Sequence, residues 1–186
     1  KYLDVVSIQE KRDDEIRKFT IDRNRPFMEN SKLIALEIEK VYWIPWQVTV
    51  WQWSLESGWW KSWLASKYNN IFWVKASKWW KWEKAIMNTT EYDSWGNSFK
   101  INDWFRVYSD MKESFIDYAN FLTQNPRYKK AFKYWVDLNP RPEYYPNDYV
   151  WYDPEKFIEE IADAWYATDP RYSSLVKSTW EKYEDL

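Results

Sequence analysis

Apolar residues recur at helical spacing along two adjacent stretches near the start of this chain. Phe27, Leu33, Ile34, Ile38 and Val41 fall on one side of a helix between Pro26 and Tyr42. From Pro45 to Ser57 there is no strong breaker, and Pro45 suits a first helical position, where its missing N–H costs nothing. Val48, Trp51, Gln52 and Leu55 make one face of that second helix, and Gly58 is a natural stop just past its end. Trp43-Ile44-Pro45 is the corner between the two, and Trp59 to Ala65 predicts one further helical turn. The period then changes. Residues 84–92 and 98–108 read as two strands, because Thr89, Thr90, Tyr92, Phe99, Ile101, Phe105 and Val107 favour extended backbone. Asp93-Ser94-Trp95-Gly96-Asn97 is the turn joining them. Helical spacing returns with Met111, Phe115, Tyr118, Ala119 and Leu122, ends at Asn125-Pro126, and resumes briefly from Arg127 to Tyr134. Asp153-Pro154-Glu155 opens a helix towards Ala164, Trp165 to Pro170 forms a turn, and a last helix runs from Arg171 towards Tyr183.

Three stretches lack such a pattern. Residues 1–25 are polar and mixed in charge, and read as an N-terminal linker or extension with at most a short solvated helix. The remaining residues, 26–186, are expected to form one folded domain. Tyr68 to Ala76 places paired Asn69 and Asn70 before an apolar run; such amides either hold a loop by hydrogen bonds or line a ligand site. Asp137 to Pro154 carries four prolines and four tyrosines and is an ordered loop or a flexible lid.

Composition narrows the chemistry. The chain has 186 residues, enough for one domain with a real core. It contains no His and no Cys, which removes the Ser-His-Asp triad, thiol catalysis and zinc sites built on those ligands. Two Gly leave no phosphate-cradling loop. Neither a cofactor nor a metal is expected. With 27 basic and 29 acidic residues there is no polyanion-binding surface, so nucleic acid is not an expected partner. No apolar run of about 18 residues predicts a membrane span, and Lys1-Tyr2-Leu3-Asp4 does not read as a signal peptide. Acid–base work is left to Asp, Glu, Tyr and Lys, and paired carboxylates point first to glycosidic bonds. Aromatics at 22%, with 17 Trp, suit stacking on sugar rings or a packed core.

Glu56 is the first candidate. It lies four residues after Gln52, at the border of an apolar helical face. Partial desolvation there would favour its protonated form, as a general acid needs. The alternative is a solvated glutamate at a helix end. Glu91, at the end of the first strand, is either a solvated edge residue or a second carboxylate facing Glu56 across a cleft.

The order of Leu55-Glu56-Ser57-Gly58, Asn69-Asn70-Ile71-Phe72, the hairpin, Phe105-Arg106-Val107-Tyr108, a helix and Tyr166-Ala167-Thr168-Asp169-Pro170 resembles glycoside hydrolase family 73 over roughly residues 27–183. These are peptidoglycan N-acetylglucosaminidases, including the flagellar rod-associated muralytic domain and many autolysins and phage lysins. The resemblance implies a lysozyme-like α+β fold, with a helical lobe and a small β-hairpin lobe around a glycan groove. It implies hydrolysis of the β-1,4 bond after N-acetylglucosamine in a peptidoglycan strand. Action would be extracytoplasmic or on a phage virion, with further domains of a larger protein as possible partners. Glu56 matches the catalytic acid and Glu91 the second carboxylate on a mobile hairpin. Tyr166 matches a tyrosine that positions the reacting acetamido sugar, and Asn69, Asn70 and Phe72 match a glycan-lining segment. A non-catalytic wall-binding module, or a structural module of a flagellar or phage tail assembly, is the competing expectation.

The chain departs from the family in one systematic way. Trp43, Trp60, Trp73 and Trp165 stand where the family has glycine. Ordinary usage predicts about 13 Gly in a chain of this length, and the excess of Trp is close to the deficit. One hypothesis accounts for both: the source genome reads UGA as glycine, and these codons have been translated as Trp. UGG codons at these four positions would refute it. The segment from Asp137 to Pro154 also looks longer than the family's connection, as an extra glycan wall or a contact to another domain.

Overall fold

The structure, a computed structural model, describes residues 2–22, 24–25, 27–57, 62–132 and 153–181. In chain order these carry α1 (Tyr2–Lys18), α2 (Phe27–Tyr42), α3 (Trp46–Ser57), α4 (Trp63–Tyr68), β1 (Lys84–Tyr92), β2 (Ser98–Arg106), α5 (Met111–Gln124), a 3₁₀ turn (Pro126–Tyr128), α6 (Pro154–Asp163) and α7 (Tyr172–Glu181). Gly58, Trp59, Trp60 and the Pro- and Tyr-rich segment as far as Tyr152 lie outside the described residues, so the expectations placed on them are not addressed.

The sequence pattern predicted a single apolar face for α3. Instead every residue from Val48 to Ser54 is buried, because α2, α6 and α7 all pack around this helix. A helix enclosed on all sides forms the centre of a domain. Leu33, expected on the buried face of α2, is exposed, and Ile34, Ala35, Ile38 and Tyr42 make the contact. The short helix expected over 127–134 begins as one 3₁₀ turn, started by Asn125, whose side chain accepts from the Arg127 N–H.

The segment expected as a linker or extension contains α1, a helix of 17 residues that packs on α2 and α5. Ile16 is fully buried in the main core. The Tyr42 hydroxyl donates to Asp13 at 2.5 Å, and Arg17 Nε donates to Glu113 at 2.8 Å. No helix among the described residues is long and apolar enough to cross a membrane.

The two strands form an antiparallel hairpin, in register from Lys84↔Arg106 to Tyr92↔Ser98. Its turn is held by Asp93, whose carboxylate accepts from the Trp95 and Asn97 N–H groups, and Gly96 supplies the positive φ of 81°. Two things fix the hairpin to the helices. Residues 74–76 run along β2, with Ala76 N–H donating to Trp104 O and Arg106 N–H to Val74 O. Arg106 Nη1 donates to both Asp117 oxygens on α5 at 2.6 Å, and Tyr108 donates to the same carboxylate at 2.5 Å. This pair joins the base of the hairpin to the core, where Phe105 and Ala85 are buried.

Candidate active site

Glu56 lies on the last turn of α3, half-buried where the central helix reaches the surface. Burial disfavours its charged form and raises its pKa from 4.5 to about 7, opposed only by a hydrogen bond from Tyr172. The bland alternative, a solvated helix-end glutamate, does not hold. The reason is the depth of α3: a helix enclosed for most of its length delivers its terminal side chain into a crowded setting.

Tyr172, at the start of α7, is buried beside Glu56. Its oxygen accepts from Gln52 Nε2 at 2.8 Å, and the Tyr118 hydroxyl donates to Gln52 Oε1 at 2.6 Å. Sequence reasoning placed Gln52 on an apolar face and gave Tyr172 no role. The available signal was a lone amide one helical turn before the acid. Tyr166 sits in the loop after α6. Its ring stacks on Tyr172 at 5.5 Å and 28°, and its hydroxyl donates to Phe72 O at 3.4 Å. Burial first, then the neighbouring Tyr118 and Glu56, push its phenol well above the ordinary value. The structure therefore brings Glu56, Tyr166 and Tyr172 together.

Glu91 is only 8% exposed, so the solvated-edge reading fails. One carboxylate oxygen accepts from Lys75 Nζ at 2.6 Å and the other from the Thr168 hydroxyl at 2.7 Å. Lys75 also pairs with Asp103 at 3.0 Å. Glu91 is thus enclosed in a small ionic cluster on the hairpin, and it does not figure among the influences on Glu56. Lys75 and Thr168 were not anticipated, because their meeting depends on the fold.

Asn70 and Phe72, expected as glycan-lining residues, are both buried. Asn70 is fully buried, and its amide closes the loop at 70–74: it donates to Val74 O and Arg106 O and accepts from the Val74 N–H. Phe72 stacks on Tyr118 at 3.9 Å in the core. Both support the site from beneath. Asn69 is half-buried, caps α4 at φ 54° and donates to Tyr108 O at 3.0 Å. Two concavities lie elsewhere, one lined by Arg127, Glu160 and Trp165 and one by Arg106, Asp117 and Phe121. Residues 58–61, which follow Glu56 in the chain, lie outside the described residues.

Known proteins place this arrangement. A family profile described as mannosyl-glycoprotein endo-beta-N-acetylglucosaminidase matches residues 32–185. The chain is 31% identical over 168 residues to the peptidoglycan hydrolase FlgJ of Vibrio parahaemolyticus, covering 89% of this chain and 49% of that protein. It is 31% identical over 173 residues to the exo-glucosaminidase LytG of Bacillus subtilis, covering 91% and 56%. The chain thus spans about half the length of these relatives. It superposes on the C-terminally truncated glycoside hydrolase domain of Salmonella typhimurium FlgJ with a TM-score of 0.58 at 29% identity, over 86% of this chain and 97% of that one. The catalytic domain of the autolysin Auto of Listeria monocytogenes shares the fold, with a TM-score of 0.60 at 23% identity over 95% and 94%. Such neighbours bear out the lysozyme-like α+β fold, and the profile match across α2 to α7 shows that the chain belongs to the glucosaminidase family of glycoside hydrolases.

Proposed function

We propose that this chain hydrolyses the β-1,4 bond after N-acetylglucosamine in peptidoglycan, with Glu56 as the general acid. The observation that carries the reading is a carboxyl whose pKa is lifted to about 7 by burial at the end of the central helix. Glu56 would protonate the bridging oxygen; the C1–O bond breaks and the leaving sugar departs with the proton. The opposite face of the sugar needs a carboxylate-activated water, a carboxylate nucleophile or the substrate's own acetamido group. Each Glu91 oxygen already accepts one hydrogen bond, from Lys75 and from Thr168; both favour the carboxylate form and weaken Glu91 as a base or nucleophile for as long as they hold. Tyr166, beside Glu56, is the residue proposed to hold the acetamido sugar, and Asn69 is the remaining candidate for contact with the glycan. Action on peptidoglycan places the chain outside the cytoplasmic membrane or on a virion, and the relatives' greater length fits a part of a larger protein.

Purified peptidoglycan incubated with the wild type and with Glu56→Gln tests this. New reducing ends from the wild type, reduced at least about a hundredfold in the variant, are expected for a general acid. Binding without new ends from either protein would instead identify a wall-binding module. Glu91→Gln separates the routes: a loss as large as that of Glu56→Gln assigns a direct role to Glu91, and a small one leaves the acetamido group.

A further inference from the structure

The hydrogen bonds behind Glu56 have a direction. Tyr118 spends its only proton on Gln52 Oε1. That fixes the amide with Nε2 towards Tyr172, whose oxygen accepts. The Tyr172 proton is then free, and Glu56 is the next side chain along that face of α3, one helical turn after the Gln52 that Tyr172 touches. Gln52 and Tyr118 are fully buried and Tyr172 is 4% exposed, so no bulk water competes along this row. The charged groups on the surrounding elements turn elsewhere. Glu39 on α2 accepts from the Trp46 N–H at the opposite end of α3. Glu159 on α6 is held by Lys156 and Lys177, and Arg171 by Asp169.

We propose that Tyr172, oriented by the buried Gln52–Tyr118 pair, is the positioning residue of Glu56: it aims the carboxyl and steadies the carboxylate left after proton transfer. The proposal rests on the reading of Glu56 as the proton donor. Burial pushes Glu56 up and Tyr172 restrains it, so removing the hydroxyl lets the acid hold its proton to higher pH.

The experiment is a pH profile of kcat and kcat/KM on peptidoglycan. Tyr172→Phe keeps the ring stack and is expected to move the alkaline limb up by about one pH unit and to lower kcat about tenfold with KM unchanged. 3-Fluorotyrosine at position 172, a stronger donor with the same packing, should move the limb down. An unmoved limb in both proteins overturns the proposal even if activity falls. If Glu56→Gln retains full activity, it is the reading of Glu56 that fails, not the positioning alone.

A separate observation carries a second inference, on what occupies positions 43, 73 and 165. Among the described residues five have positive φ: Gly96, Asn69 and three tryptophans, Trp43 (63°), Trp73 (53°) and Trp165 (61°). Trp43 follows α2 with its N–H on Glu39 O at 2.8 Å, the single-bond left-handed helix stop. Trp165 follows α6 with its N–H on Ala162 O and the Tyr166 N–H on Ile161 O, the two-bond Schellman stop. Both motifs take glycine at that position because a Cβ is strained there. The Trp73 Nε1 is buried without a hydrogen-bond partner. The Trp43 and Trp165 side chains are 38% and 64% exposed, so little burial offsets the strain.

We infer that the protein made in its source cell carries glycine at 43, 73 and 165. Peptide mapping by mass spectrometry of protein isolated from that cell should return glycine at these positions; tryptophan there overturns the inference. In recombinant protein, Trp43→Gly and Trp165→Gly together should raise the melting temperature, and a lower or unchanged one speaks against it.

Discussion

Glu56 pays for its readiness to give up a proton with stability. Its carboxyl titrates at 4.5 when exposed and at about 7 in the folded chain, so between these pH values the native state holds a proton that the unfolded chain releases. The contribution is fully present below pH 4.5 and is lost as pH rises through about 7, a loss of about 3 kcal/mol by pH 8. Glu56→Gln keeps the shape and removes the titration. It is expected to melt above the wild type at pH 8, with the difference closing towards pH 4.5, while hydrolysis is lost; paired thermal melts across that range check this. With Glu56 in its proposed role of proton donor, kcat/KM should fall as pH rises past about 7. The left-handed tryptophans belong to this scale too. Each exposed one, Trp43 and Trp165, carries about 1–2 kcal/mol of backbone strain that glycine relieves.

The hairpin is held by a strong tie and a loose one. The Arg106–Asp117 pair is largely buried, at 15% and 22% side-chain exposure, and Tyr108 adds a third bond to the same carboxylate. Arg106→Met leaves Asp117 half-buried without its cation, and unfolding by urea should show a loss of roughly 2–3 kcal/mol. The outer tie runs through Glu91, and its Lys75 partner is 45% exposed at the side chain. Thr168→Val removes one of Glu91's two donors. Amide exchange in β1 and β2 should then quicken while that of α3 is unchanged. Most of these elements were legible in the chain. The hairpin was readable from Thr89 to Phe105 because residues that favour extended backbone flank a turn, and α5 from Met111 to Leu122 because its stripe is regular. The enclosure of α3 was not, since Thr49, Gln52 and Ser54 break an apolar reading, and Gln52 meets its partners only once Tyr118 on α5 and Tyr172 on α7 arrive.

At the scale of the molecule, α1 belongs to the folded body. Removing residues 1–25 deletes Ile16 from the core, together with the Asp13 and Arg17 contacts to Tyr42 and Glu113. A burial of that size is worth about 1.5–3 kcal/mol for the isoleucine alone, so the truncated chain should melt at a distinctly lower temperature. In that segment charged residues outnumber the apolar ones, and among the described side chains Ile16 is the buried anchor, with Phe19 packed beside it. Of the residues that a motif singles out, Glu56 and Tyr166 come to lie together, while Glu91 is held apart by Lys75 and Thr168. The site was not legible at Gln52 and Tyr172, which meet across 120 positions of chain, nor at Thr168. That threonine has a larger consequence than its size suggests. Its oxygen donates to Glu91 and accepts from the Tyr92 N–H, two positions after Tyr166. One small hydroxyl is therefore a clasp between the two lobes. Whatever unfastens Glu91 from this hydroxyl also slackens the strand beside it and the loop that seats Tyr166, so neither lobe shifts at this point without loosening the other.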